Sequence, residues 1–448
     1  MAARSIDVAA LINGRKLSGF NYRLIILSWL ITVFDGLDIM MVSFTAPYMR
    51  DEMGLSTTML GNVFSAGTAG MVLGGFLFPW IGDRIGRRPT VILAAFLFGI
   101  LTVATGFATS YPSLLTLRFL DGMAIGGMLP LAWALNIEFV PARMRATVVT
   151  IIMMGYSLGS TIAAPLTNWI APHHGWEGVY FLGGAGTLVC ATGLLFGLPE
   201  SIRFLVNRGD RPERVVALLH KIDPAIDATA EDRFILGDEI AAPVKFHVRE
   251  LFRGPLALVT PLIWLGYMAS SMAIYFMSSW GPLVLETLQV PRETAANVSA
   301  FGGLLGAIAG LLLMRFTDRY GPRAVAFYPA LAVPVLLLIG FGMLPAALFL
   351  ASFMLATIVV SGAHFGIISI TGLFYPSSIR ASGAGWAASI GKIAGVGGPI
   401  IGAVILSSGL PVIRSFVFLA VCPAILFACA LGLSVATRQI RKAAAPAP

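Results

Sequence analysis

The stretch Gly82-Asp83-Arg84-Ile85-Gly86-Arg87-Arg88 returns in weaker form, with every number raised by 235, as Thr317-Asp318-Arg319-Tyr320-Gly321-Pro322-Arg323. A second pair stands at the same offset: Phe139-Val140-Pro141 with Arg145-Ala146, and Phe374-Tyr375-Pro376 with Arg380-Ala381. Two independent matches at one spacing indicate a duplicated unit. Each copy lies among long apolar runs, so the unit is a set of membrane spans. An even number of spans per copy leaves both copies in the same orientation, related by an axis along the membrane normal. A binding site is then expected near the mid-membrane, between the copies.

Composition agrees. Of 448 residues 57% are hydrophobic and only 12% charged, and the mean hydropathy is +0.85. A soluble domain carries roughly 25% charged residues to stay solvated. The 49 glycines suit helices that pack closely in lipid. Cys190, Cys422 and Cys429 all fall in apolar runs and are expected to be packing residues, with no disulfide framework. The net charge of +8 does not indicate nucleic acid, because the basic residues sit at the ends of apolar runs and form no patch with interleaved aromatics.

Runs long enough to span, about 20 residues each, fall near 24–49, 58–80, 89–109, 111–137, 146–171, 176–198, 255–283, 297–316, 323–342, 345–375, 381–408 and 412–436. No small-residue cleavage site follows the first of them, so an uncleaved first span is expected. The fold expected is an all-α integral membrane protein of twelve helices. Residues 1–198 form one six-helix bundle, 199–254 a loop between bundles, and 255–448 a second bundle with a short tail. With the amino terminus inside, 25 of the 30 Lys and Arg residues face the cytoplasm, and Arg50, Arg292 and Arg414 face out. The other two, Arg118 and Lys392, lie within spans. That asymmetry places both termini and the 199–254 loop in the cytoplasm of a cell bounded by an inner membrane.

An ionisable side chain inside a span costs at least ~2.5–3.5 kcal/mol, so each calls for a partner or a function. Asp35 and Asp38 share a face of the first helix, and Asp38 and Arg118 fall at similar depth. Asp121, one turn below Arg118, can share its guanidinium. Two close carboxylates do not both ionise cheaply in a low dielectric, which is what a proton-coupling group made of Asp35, Asp38, Arg118 and Asp121 requires. The competing reading is a salt bridge that only holds helices together. At the 235 offset these four become Ser270, Ala273, Phe353 and Ala356, all uncharged. The second copy instead carries Lys392 near the mid-membrane, a candidate anchor for an anionic substrate alongside Arg118, and His364, which can bond a ring substituent or titrate. Phe34, Tyr275, Trp280 and Trp386 are candidates, as a group, for stacking on an aromatic ring. At the cytoplasmic ends Asp83, Arg84, Arg87, Arg88, Glu138 and Arg145, with Asp318 and Arg380 from the second copy, read as a gate of salt bridges. The bland alternative for the arginines is topology alone.

Asp83-Arg84-x-Gly86-Arg87-Arg88 between spans two and three resembles the signature of the major facilitator superfamily. Asp35-Gly36-Leu37-Asp38 resembles a mark of its aromatic acid:proton symporter branch, as do Pro199-Glu200-Ser201-x-Arg203, Tyr275 with Trp280-Gly281-Pro282, and Phe374-Tyr375-Pro376 continuing to Gly385-Trp386. The likeness runs from about residue 20 to 435. It implies a monomeric, cofactor-free transporter that imports a small aromatic carboxylate with protons. Three departures matter. Pro79 stands where the superfamily loop usually opens with glycine, and His364 and Lys392 stand where the branch commonly has glutamine and arginine. The last two fall on expected cavity positions, so the fold carries over more firmly than the identity of the acid.

Gly155-Tyr156-Ser157-Leu158-Gly159 matches a hydrolase nucleophile motif, but it lies in an apolar run with no acid or histidine beside it. No catalytic residue is expected. His173-His174 lacks the further ligands of a metal site, and no phosphate-binding loop is present. Gly155/Gly159, Gly302/Gly306/Gly310 and Gly391/Gly395 read as close-packing ridges. The competing functions are a proton-driven exporter on the same fold and, from another class, a membrane sensor of aromatic acids.

Overall fold

Backbone in hydrocarbon must satisfy its own N–H and C=O groups, and apolar runs do so as helices. The computed structural model describes residues 4–209, 211–237, 247–375 and 379–444, with the side chains of 318, 372–373, 381 and 437–444 outside the description. It holds 11 helices long and apolar enough to cross a membrane. One of them, Arg145–Gly197, has 53 residues and breaks at Gly175, where φ is 70°. At 1.5 Å per residue it is about 80 Å long, enough for two passes, so it supplies the fifth and sixth spans and the total is twelve. The others are, in order, Gly19–Met53, Thr57–Ile85, Arg87–Thr105, Tyr111–Glu138, Leu256–Thr287, Arg292–Thr317, Pro322–Gly340, Ala346–Thr371, Ser382–Leu406 and Val412–Ala436. Many run a turn or more past the apolar core of their sequence. Large side chains such as Phe76, Val189, Phe196 and Val404 are exposed on the outside of the bundle, as a lipid-facing surface requires.

The duplication is visible in the packing. The first span packs on the fifth and the second on the fourth; in the second copy the seventh packs on the eleventh and the eighth on the tenth. The two copies meet in a matching way, second span on eleventh and fifth on eighth. Glycine makes these approaches possible. A Cβ on Gly159 would overlap the Val33 carbonyl of the first span, and one on Gly122 would overlap Gly67 of the second. The ridge Gly302, Gly306, Gly310 lies against Thr357, Ser361 and Phe365, while Gly391 and Gly395 lie against Tyr267 and Tyr275.

The polar segments hold more order than the sequence reading gave them. Strand β1 (Ser5–Asp7) pairs in parallel with β2 (Arg233–Ile235) from the inter-bundle segment. Asp7 caps the short helix Val8–Asn13 and also accepts from the Gly237 amide at 3.1 Å. That amide above all holds the Asp7 carboxyl below its ordinary range. Arg15 pairs with Asp223. Helix Pro212–Ile222 buries Val215, Leu218, Leu219 and Ile222 in one apolar cluster with Ile6, Val8, Ile12 and the end of the sixth span.

One end of the molecule carries the termini and the Asp83 loop; it is called the basic end below. At the opposite end the two copies are joined. Pro282 has no N–H to give the Ser278 carbonyl, and the Ser43 hydroxyl of the first span donates to that carbonyl at 2.6 Å and to Ser279 at 2.9 Å. The Ser65 hydroxyl donates to the Val396 carbonyl at 2.9 Å. Phe64 meets Trp280 edge to face, with centroids 5.2 Å apart. Above them Arg50 reaches Glu286 at 3.3 Å and Arg292 reaches Asp51 at 2.9 Å.

Candidate functional site

Between the joined end and the basic end lies a cavity of ≈ 330 Å³. Its wall includes Arg118, Tyr156, Tyr275 and His364, four methionines (Met40, Met71, Met153, Met154), and Thr150 and Leu311 from the portions nearer the basic end. The seal at one end and the lining at the other give a chamber facing the basic end.

Arg118 is the centre of the buried charge. Its two terminal nitrogens donate to the Asp38 carboxylate at 3.1 and 2.8 Å, and one of them also donates to Asp121 at 2.8 Å. Thr102 donates to the other Asp121 oxygen at 3.3 Å. Relative exposures are 3% for Arg118, 1% for Asp38 and 0% for Asp121. The sequence placed these groups at one depth, and the structure brings them into bonding contact. The bidentate fork is the strong, planar form of such a pair. Two carboxylates on one guanidinium leave the trio with one excess negative charge when all are ionised. Asp35 is 0% exposed, and neither of its oxygens has a hydrogen-bond partner among the described residues. Lys392, though exposed, stands within electrostatic reach of Asp35, as do Tyr156 and Tyr275.

The substrate candidates divide. Arg118, His364 and Tyr275 line the cavity; Lys392, Phe34, Trp280 and Trp386 stand outside its described lining. His364 Nδ1 is 3.1 Å from the Ser270 hydroxyl. Trp280 belongs to the seal, donating to the Pro399 carbonyl at 3.0 Å. Phe34 packs at Gly186 of the sixth span, and Trp386 stacks on Trp264 at 6.2 Å. Tyr156 and Ser157, which the sequence reading treated only as part of a false motif, are on the cavity wall. The signal was in that motif: Gly155 and Gly159 commit one face to the first span, so the residues between them can face elsewhere.

At the basic end Arg87 pairs with Glu138, which also accepts from the Ser201 hydroxyl at 2.6 Å. Glu200, outside the expected gate, accepts from the amides of Arg87 (2.9 Å), Arg88 (3.1 Å) and Ser201 (2.8 Å). A carboxylate there meets both orphan amides and the positive end of the third helix. Glu200→Ala is expected to cost about 1–2 kcal/mol, read as a lowered Tm in detergent. Arg88 donates to the Leu198 and Leu195 carbonyls at 2.8 and 2.7 Å, and Arg84 lies over Trp80. Asp83 is within electrostatic reach of Arg87. Arg145 donates to the Val140 carbonyl and Arg380 to the Tyr375 carbonyl, each at 3.3 Å, the same bond at equivalent places in the two copies. These bonds stay within one copy. The Asp318 side chain lies outside the described residues.

Twelve helices in two like copies, sealed together at one end around a cavity with charge buried beside it, define a membrane transport protein. The chain matches the Major Facilitator Superfamily over residues 28–399 and belongs to that superfamily, whose members are transporters and not enzymes. It is 34% identical over 412 residues to a 4-hydroxybenzoate transporter of Pseudomonas aeruginosa, covering 91% of each chain. It is 32% identical over 443 residues to a gallate transporter of Pseudomonas putida, covering 99% of this chain and 97% of that one. Among solved structures it resembles the xylose transporter of E. coli in a partially occluded inward-open conformation, with a TM-score of 0.70, 17% identity, and coverage of 92% of this chain and 97% of that one.

Proposed function

We propose that this chain imports a small aromatic carboxylate into the cytoplasm together with protons, by alternating access across an inner membrane. The observation that carries the chemistry is the Arg118 group. Arg118 lines the cavity with both terminal nitrogens engaged by Asp38 and Asp121, while its Nε has no partner among the described residues. A proton on either aspartate removes one claim on that cation and lets a substrate carboxylate take its place, so proton and anion are favoured together. Without the proton the incoming anion meets a group that is already net negative. Asp35, buried and unpartnered among the described residues, is the second proton position, and Lys392 tempers its charge. The identities of the relatives support the substrate class, and the distribution of Lys and Arg supports the basic end as cytoplasmic. The structure is read as inward-facing. One chain encloses the whole cavity, so a monomer is the working unit.

Cells expressing the chain should accumulate one or more radiolabelled aromatic acids, and a protonophore should abolish the accumulation. Retention of every acid below that of empty cells would replace this reading with proton-driven export.

A further inference from the structure

The central cavity has a side chamber of ≈ 110 Å³. The two share Tyr156, Ser157, Ser278 and Phe365 as walls, so one molecule can occupy both. The chamber lies on the sealed side, beside Phe44 of the first span and Phe353 of the tenth. Its described lining carries no Asp, Glu, Lys, Arg or His, and six of its residues are serine or threonine.

Hydroxyls inside a span usually bond back to a carbonyl of their own helix. Thr357 does so, donating to Phe353 at 3.0 Å. Ser160 donates to Gly36 of the first span at 3.1 Å. The other four do not. Ser299 Oγ is buried with no hydrogen-bond partner among the described residues, and the hydroxyls of Ser157, Ser278 and Ser361 make no hydrogen bond to another described residue. Ser361 is 5% exposed. Four residues whose hydroxyls have no described protein partner, from the fifth, seventh, eighth and tenth spans, line one small space walled by phenylalanines. Leaving such groups unpaired in an apolar surround is unfavourable, so the chamber fits an occupant that is polar, uncharged and flat enough to pass between aromatic rings. A carboxylate finds no cation there. It stays with Arg118 in the main cavity, which turns the far edge of the ring towards the serines.

We propose that this chamber is the subsite that reads hydroxyl groups on the ring, and that Ser157, Ser278, Ser299 and Ser361 set the preference for hydroxylated over unsubstituted aromatic acids. The inference rests on the import of an aromatic acid proposed above. Ser157 comes from the first copy and the other three from the second, so a bound hydroxyl also ties the two copies together at this point.

The test is uptake of benzoate, 3,4-dihydroxybenzoate and 3,4,5-trihydroxybenzoate, measured as kcat/KM ratios in wild type, Ser299→Ala, Ser361→Ala and the double variant. Each single change should shrink the preference for the hydroxylated acids by about 3–10-fold, and the double change by at least about tenfold. Ser299→Thr, which keeps a hydroxyl, should restore the ratio. Ratios within about twofold of wild type in the double variant, or parallel loss of all three acids that Ser299→Thr does not reverse, would show that the chamber holds only water or serves packing. A wild-type chain that takes up none of the panel would instead remove the import reading, and this subsite with it.

Discussion

An Asp38→Asn chain is expected to lose proton-driven accumulation altogether while still exchanging labelled for unlabelled acid across the membrane. Asparagine keeps one oxygen for the Arg118 guanidinium, and Asp121, 2.8 Å from the same nitrogen set, still balances its charge. The fold therefore survives. A neutral asparagine leaves one claim on the cation permanently released, so a substrate carboxylate binds without a proton and the coupling is lost. For a monoanion carried with one proton, each pH unit is worth about 1.4 kcal/mol, roughly tenfold accumulation, and the variant should show none of it. Counterflow in membrane vesicles without a pH gradient separates the two activities. Full accumulation by the variant would mean that Asp38 only braces the helices. Arg118→Ala makes the contrast. It leaves two buried carboxylates facing each other without a cation, a loss of about 3–5 kcal/mol, and is expected to reduce the amount of folded protein.

The second large effect concerns the sealed end. The four charges there form two couples within the copies, Arg50 with Asp51 at 3.2 Å and Arg292 with Glu286 at 2.8 Å. Two further pairs cross between the copies, Arg50–Glu286 and Arg292–Asp51, and Arg292 lies over the Tyr48 ring at 4.4 Å. When this end opens, each copy keeps its own couple and only the crossing pairs break. Such partly exposed pairs are individually weak, about 0–1 kcal/mol, which suits a latch that must release in every cycle. Arg292→Glu sets three acids against Arg50 and should hold the latch open. In a chain with Cys190, Cys422 and Cys429 replaced, Ser43→Cys is shielded behind the latch, since Ser43 is only 1% exposed. A membrane-impermeant thiol reagent added outside should label it at least about tenfold faster once Arg292→Glu is introduced, a shift of about 1.4 kcal/mol in favour of the open form. Exchanging the charges, Asp51→Arg with Arg292→Asp, should restore protection. Equal labelling in all three chains would confine the network to solvation of the helix ends.

The sequence disclosed some of this plainly and some not at all. Spans and the duplication were legible because both are periodic along one chain, and the depth of Asp38 and Arg118 followed from counting the constant rise of a helix, residue by residue. Depth does not fix rotation, however. Trp280 sits on the seventh span, which bounds the cavity, yet stands outside its described lining, because helix packing decides which face turns inward; Lys392 and Trp386 sit on the eleventh, which contributes none of the described lining. The latch was hidden for another reason: Arg50 and Arg292 were counted only as outward-facing charges, and counting ignores partners. The offset held part of the clue, since Asp51 and Glu286 are equivalent positions of the two copies, and equivalent positions near the pseudo-axis approach each other. The short helix Pro212–Ile222 was missed although its apolar residues recur at helical spacing, because the whole segment was read as connection between bundles.

Strand β1 leaves the ribosome ahead of the first span, and its only described pairing partner, β2, begins at Arg233. At ~5–20 residues per second the intervening chain takes roughly 10–45 s to make. By then six spans have been handed to the insertion machinery, while β1 waits at the membrane face for a neighbour not yet synthesised. The first bundle is thus closed last at the strand that precedes its first span. An amino-terminal fusion that delays this closure acts on maturation time and yield, and leaves the transport chemistry of the molecules that do mature untouched.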